Sequence, residues 1–197
     1  MSITENLRNV QQQIDHACRE YGRPVSDVML LAVSKTKPLS MVEEALRAGQ
    51  LEFGENYLQD AMDKVPLLPE AHWHFIGNVQ SNKTRQIANH FDWVHSVASK
   101  KIAQRLSDQR ERPEPLNILL QVNVSDDTAK VGSSIDQTGE LLGHVLEMEN
   151  LRPRGLMTIT EHTDDPAQQR HYFAMLARLR DDLNTEFSII NFDQLSM

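Results

Sequence analysis

At 197 residues, with 40 % hydrophobic and 24 % charged residues and only eight glycines and eight prolines, the chain has the make-up of a globular domain. That excludes collagen, low-complexity and disulfide-scaffold classes. Lys plus Arg number 20 against 28 Asp plus Glu, a formal charge of −8; an acidic chain with no basic run repels phosphate backbones, so nucleic acid is not an expected partner. No apolar stretch nears the roughly 18 residues of a membrane span and no signal-peptide core follows Met1. A cytoplasmic location is expected, with the lone Cys18 as a buried thiol.

The first element is an amphipathic helix. Ser2 and Glu5 have capping-box spacing, Ile3, Leu7, Val10, Ile14 and Ala17 recur at helical intervals, and Gly22 and Pro24 close the segment. The short apolar run Val28–Val33 predicts a strand buried on both faces. A second helix over Met41–Ala48 follows, with Ser40 and Glu43 as another capping box and Gly49 beyond its end.

The alternation continues. Strands are predicted at Leu51–Gly54, His72–Ile76, Trp93–Val97, Leu116–Val124 and Leu151–Ile159. Helices are predicted at Gln59–Val65, Asn82–His90, Lys100–Arg110, Ile135–Met148 and Pro166–Leu183, with Ser81, Ser99, Ser134 and Thr163 as N-caps. Asp193–Met197 reads as the beginning of a seventh strand. Such alternation means parallel β/α units, here in a single domain over residues 1–197. An open doubly wound sheet could stop at six or seven strands, whereas a closed barrel needs eight and usually about 250 residues. The first strand lacks the Gly-x-Gly-x-x-Gly turn of a dinucleotide-binding sheet, which weakens that alternative. The pattern allows either fold, but as a barrel the chain is incomplete.

Parallel β/α proteins bind ligands at the carboxyl ends of their strands. The first strand ends Ala32-Val-Ser-Lys35-Thr-Lys-Pro38. A lysine leaving a buried strand can be partly desolvated, as a Schiff-base lysine requires, or can simply be a solvated loop residue. Lys37 is the weaker candidate because Pro38 ends the strand early. The second strand ends Phe53-Gly-Glu-Asn-Tyr57, where Asn56 offers a neutral donor and acceptor to a ligand or to the turn. His72 and His74 share a strand face, but no third metal ligand stands at a recognisable spacing. Asp126 and Asp127 could attract a cation but read more simply as solvated loop carboxylates, His144 and Glu147 as a surface pair, and Met157 and Met175 as core fillers rather than a cofactor box.

Taken in order, several segments resemble the pyridoxal-phosphate homeostasis family, also called proline synthase co-transcribed proteins. They are Ala32–Pro38, Phe53–Tyr57, Trp73-His-Phe-Ile-Gly77, Gln80-Ser-Asn-Lys83, Val94-His-Ser-Val97, Leu119–Val124 with Lys130 and Gly132, and Gly155-Leu-Met157. The resemblance runs from about Leu31 to the last residue. It implies an α/β fold, a TIM (β/α)8 barrel of the fold type III pyridoxal-phosphate class like the N-terminal domain of alanine racemase, with an extra N-terminal helix. It further implies that Lys35 holds pyridoxal 5'-phosphate as an internal aldimine, that Asn56 and Met157 line the pocket, and that Ser196 helps bind the phosphate.

The family pattern continues beyond Ser-Met with Gly-Met-Ser, a helix, and a strand carrying Arg-x-Gly and Ile-Phe-Gly. Those pieces are not found after Met197, and the strand count meets the same gap: part of strand seven, and strand eight, are missing. A C-terminally truncated member with weak cofactor retention is therefore expected. The resemblance implies a protein that binds pyridoxal phosphate in cofactor and amino-acid homeostasis, with pyridoxal-phosphate enzymes as recipients and little catalysis of its own, and a monomer for the full-length family. The alternatives are an amino-acid racemase of the same fold and an inactive fragment that associates through open strand edges.

Overall fold

The computed structural model describes residues 2–125, 131–161 and 163–197. Strands and helices alternate as the sequence predicts, and the chain divides into two compact units, Met1–His74 and Phe75–Met197.

In the first unit, helix α1 (Ile3–Glu20) opens on the expected reciprocal cap. Ser2 Oγ accepts from the Glu5 N–H at 3.2 Å, and Glu5 Oε2 accepts from the Ser2 N–H at 2.8 Å. The helix packs along α2 (Leu39–Arg47), and the Ile3 N–H donates to Glu44 Oε1 at 3.1 Å. Cys18 is buried and unpaired with another cysteine. Strand β1 is shorter than expected, Ala32–Val33 only. It pairs in parallel with β2 (Glu52–Glu55), Ala32 beside Phe53 and Val33 beside Gly54.

The predicted strand Val28–Val33 is not buried on both faces: Met29 is 54 % and Val33 46 % exposed. A side chain takes the place of a longer ladder there. Gln50 Nε2 donates to the Leu30 carbonyl at 2.9 Å and to the Glu52 carbonyl at 2.7 Å, so those acceptors are satisfied outside a strand. Ser40 lies inside α2 and does not cap it; Pro38 occupies that position and its ring fixes the entry angle. Helix α3 (Leu58–Met62), a 3₁₀ turn at Val65–Leu67 and strand β3 (His72–Phe75) follow. Phe53 and Trp73 stack at 5.5 Å in the core, with Val42, Ala45, Leu58 and Ala61 buried.

In the second unit, β4 (Trp93–Val97), β5 (Leu116–Gln121), β6 (Leu151–Met157) and β7 (Gln194–Ser196) pair in parallel in chain order. Helix α4 (Thr84–His90) leads into β4, and α5 (Lys100–Asp108), α6 (Ile135–Leu146) and α7 (Pro166–Phe187) connect the four strands. Ser99 and Ser134 cap α5 and α6 as expected, accepting from Ile102 and Gln137 N–H groups at 3.4 and 3.3 Å. Ser81 and Thr163 do not cap helices. The Ser81 carbonyl accepts from Thr84 Oγ1 at 2.9 Å, which delays α4 to Thr84. Asp165 caps α7 through the Ala167 N–H at 2.9 Å.

Leu116, Ile118, Leu119 and Leu120 bury both faces of β5, the environment of a central parallel strand. Two irregularities interrupt the ladders. Ile118 stands beside Pro153 but Leu119 beside Gly155, so Arg154 bulges out next to the proline that cannot donate. Its guanidinium lies 5.3 Å from the Trp93 ring centroid, and its Nε donates to the Asn191 carbonyl at 3.1 Å. Between Val94 and Val97 the pairing with β5 also shifts, and that stretch holds His95 and Ser96. Asp126, Asp127 and Lys130 lie outside the described residues. Among those described, no helix is long and apolar enough to cross a membrane.

Candidate functional site

Lys35 is the second residue after β1, on an exposed turn. The turn runs from Ser34 to Lys37 and closes through Lys37 N–H to the Ser34 carbonyl at 3.1 Å. Thr36, at its third position, has φ +61°, the left-handed geometry of a type II turn that a β-branched residue rarely adopts.

Beneath the turn lies a buried charged cluster. Glu55 Oε1 accepts from Ser34 Oγ and from Lys64 Nζ, each at 2.7 Å, and Lys64 Nζ also donates to the Ser34 carbonyl at 2.9 Å. Glu55 is wholly buried and Lys64 only 4 % exposed. Asn56, half-buried at the end of β2, has a buried Oδ1 with no hydrogen-bond partner among the described residues. An acceptor in that condition calls for a ligand or a water.

His72 and His74 flank a carboxylate. His72 Nδ1 lies 2.7 Å from Glu52 Oε1, and His74 Nε2 lies 2.8 Å from Oε2. Burial acts to raise the Glu52 carboxyl, but the hydrogen bonds and charges of His74 and His72 outweigh it and hold the group below its usual range. No arrangement able to hold a metal ion occurs among the described residues.

In the second unit the structure brings Met157 and Ser196 together. They are register partners across β6 and β7, and Thr158 N–H donates to the Ser196 carbonyl at 3.0 Å. Met157 is buried, while Ser196 Oγ shares a 3.0 Å hydrogen bond with Nδ1 of buried His95. With a proton on Nδ1, His95 donates to Oγ and leaves the serine hydroxyl proton for an incoming anion.

Lys35 and Asn56 thus belong to the first unit, and Met157 and Ser196 to the second. Glu55, Lys64 and His95 received no role from the sequence. Glu55 and His95 sit inside quoted motifs, and Lys64 stands three residues after buried Ala61 on the inward side of its segment, a phase that signalled a lysine beneath the surface. His144 does not pair with Glu147; the charged contact on that helix is Glu140 with Lys100, 2.6 Å apart.

The family model for the alanine racemase N-terminal domain matches residues 3–193. The pyridoxal phosphate homeostasis protein of Pseudomonas aeruginosa is 49 % identical over all of this chain and 84 % of its own length. That of Escherichia coli K12 is 42 % identical over 99 % of this chain and 86 % of its own. Among solved structures, PipY of Synechococcus elongatus with pyridoxal phosphate (PLP) bound superposes with a TM-score of 0.85 at 32 % identity, covering all of this chain and 88 % of PipY. A histidine racemase of Leuconostoc mesenteroides, 17 % identical with a TM-score of 0.71, covers 98 % of this chain and 50 % of its own, and shows the shared barrel fold alone. The chain belongs to the alanine racemase N-terminal domain family and, within it, to the pyridoxal phosphate homeostasis proteins.

Proposed function

We propose that this chain binds pyridoxal 5'-phosphate through a Schiff base to Lys35 and serves cytoplasmic cofactor and amino-acid homeostasis without strong catalysis of its own. The observation that carries the reading is the exposed Lys35 amine on a clamped turn at a strand end, with the unsatisfied Asn56 oxygen at the end of the adjacent strand. Lys35 would hold the cofactor by condensation of its amine with the aldehyde, which would form a carbon–nitrogen double bond and release one water. The bound cofactor supplies an electron-withdrawing pyridine ring. Asn56 orients a polar group of the ring, Met157 gives an apolar wall, and Ser196, held by His95, donates to the phosphate. PLP-dependent enzymes are the recipients, and the full-length family acts as a monomer. The homeostasis names and the cofactor in PipY support this reading.

The test is an absorption spectrum of the protein with pyridoxal phosphate, before and after gel filtration, beside Lys35→Ala. A band near the Schiff-base maximum, weakened by gel filtration and absent in Lys35→Ala, is expected. A band of equal strength in the variant would overturn the role of Lys35. Amino-acid α-proton exchange in deuterium oxide checks the second half of the reading: exchange at enzymatic rates that depends on Lys35 would favour a racemase, to which the shared fold lends its only support.

A further inference from the structure

Four polar contacts converge on Ser34, the residue before Lys35. Its N–H donates to the Gly54 carbonyl at 2.9 Å, and its Oγ donates to Glu55 Oε1 at 2.7 Å. Its carbonyl accepts twice, from the Lys37 N–H at 3.1 Å and from Lys64 Nζ at 2.9 Å. Every backbone and side-chain polar group of this residue is therefore engaged.

Two of the four contacts come from the Lys64–Glu55 pair, whose side chains are 5 % and 0 % exposed. Burying such a pair costs desolvation of both charges and adds little net stability over an apolar pair of equal volume. A role in fold stability alone is thus a weak explanation for it. The two residues after Ser34 explain it better. Lys35 stands exposed, and Thr36 holds a left-handed backbone that is unfavourable for its branched side chain. Strained turns of this kind persist only where the surroundings over-determine them.

We infer that Lys64 and Glu55 are positioning residues: clamping Ser34, they hold the Thr36 turn and so aim the Lys35 amine. The inference rests on the Lys35 reading given above, but the turn itself can be probed without cofactor. Lys64→Met alone strands a buried carboxylate and unfolds too easily to be informative. Glu55→Gln with Lys64→Met removes both charges together and keeps the volume.

In the cofactor-free chain, hydrogen exchange at the Lys37 amide is expected to rise about tenfold in the double variant, while amides of α1 and α5 keep their rates. Half-formation of the Lys35-dependent absorption band is then expected to need about tenfold more pyridoxal phosphate. Unchanged Lys37 exchange overturns the clamp, whatever the band does. Faster exchange with an unchanged band overturns the aiming of Lys35. Absence of a Lys35-dependent band in the unaltered chain refutes the Schiff-base reading and, with it, the aiming role, leaving Lys37 exchange to decide the clamp alone. If the double variant fails to fold, Ser34→Ala removes the hydroxyl contact to Glu55 and leaves the Lys64 contact to the carbonyl; a several-fold rise in the Lys37 rate is expected, and an unchanged rate overturns the part of Glu55 in the clamp.

Discussion

The two units fasten their strand ends by different means. In the first, β1 offers two register pairs to β2, and carboxylates of β2 do the remaining work. Glu55 faces one side and clamps Ser34 with Lys64; Glu52 faces the other and gathers His72 and His74. In the second, β5 and β6 share six register pairs and β7 adds three more, so the ladder itself carries the load. A short ladder fixed by buried charge leaves its terminal turn, with Lys35, exposed. A long ladder presents small hydroxyl and apolar groups at fixed positions.

The second device is the easier to break, and breaking it has the largest expected effect. Gly155 has φ +152°, and a Cβ there would lie 1.8 Å from the Gln194 carbonyl oxygen, a backbone atom with no room to yield. Gly155→Ala should therefore detach β7 and cost about 3 kcal/mol or more. Denaturant unfolding of the full chain measures it. A loss under ~1 kcal/mol would mean that β7 is not held as described.

The first device responds to acid instead. Glu52 titrates below its ordinary 4.5 because His74 and His72 hold its ionised form against the cost of burial. A carboxyl depressed on folding stabilises fully above its unfolded pKa, and that stability is lost as pH falls through the folded value. Glu52→Gln should cost about 2 kcal/mol near neutrality, the worth of hydrogen bonds to a charged group, and should flatten the decline in stability below pH 4.5. Denaturant midpoints followed from neutral pH into acid check the slope; an equally steep decline in Glu52→Gln would remove the carboxylate from this role.

Much of this contrast was legible in the sequence, and the rest was hidden for identifiable reasons. The β5 apolar run and the Ser2, Ser99 and Ser134 caps are local patterns, and the structure bears them out. Where more than one residue can open a helix, local pattern chose wrongly: α2 starts after Pro38 with no side-chain cap, and Asp165 displaced Thr163 at α7. Lys35 and Asn56 stood out because strand ends are where ligands bind. Glu55 and Lys64 did not, because their chemistry lies in partners 21 and 30 residues from Ser34. His95 needed contact across 101 residues with Ser196, which no window of sequence contains.

The smallest expected effect separates the two contributions most cleanly. Ser196→Ala removes one hydroxyl and its 3.0 Å bond with His95, while the Thr158 N–H still reaches the Ser196 carbonyl and the β6–β7 register is backbone. Stability should change by about 1 kcal/mol or less. If Ser196 serves the phosphate and Lys35 the aldehyde, the loss must show as a loss of discrimination. Retention of pyridoxal phosphate should fall several-fold in Ser196→Ala, whereas pyridoxal, which has the aldehyde and no phosphate, should attach to Lys35 as before. Parallel titrations with the two aldehydes measure the ratio directly. An equal fall for both would place Ser196 among the residues that shape the fold, and would leave phosphate recognition to other groups.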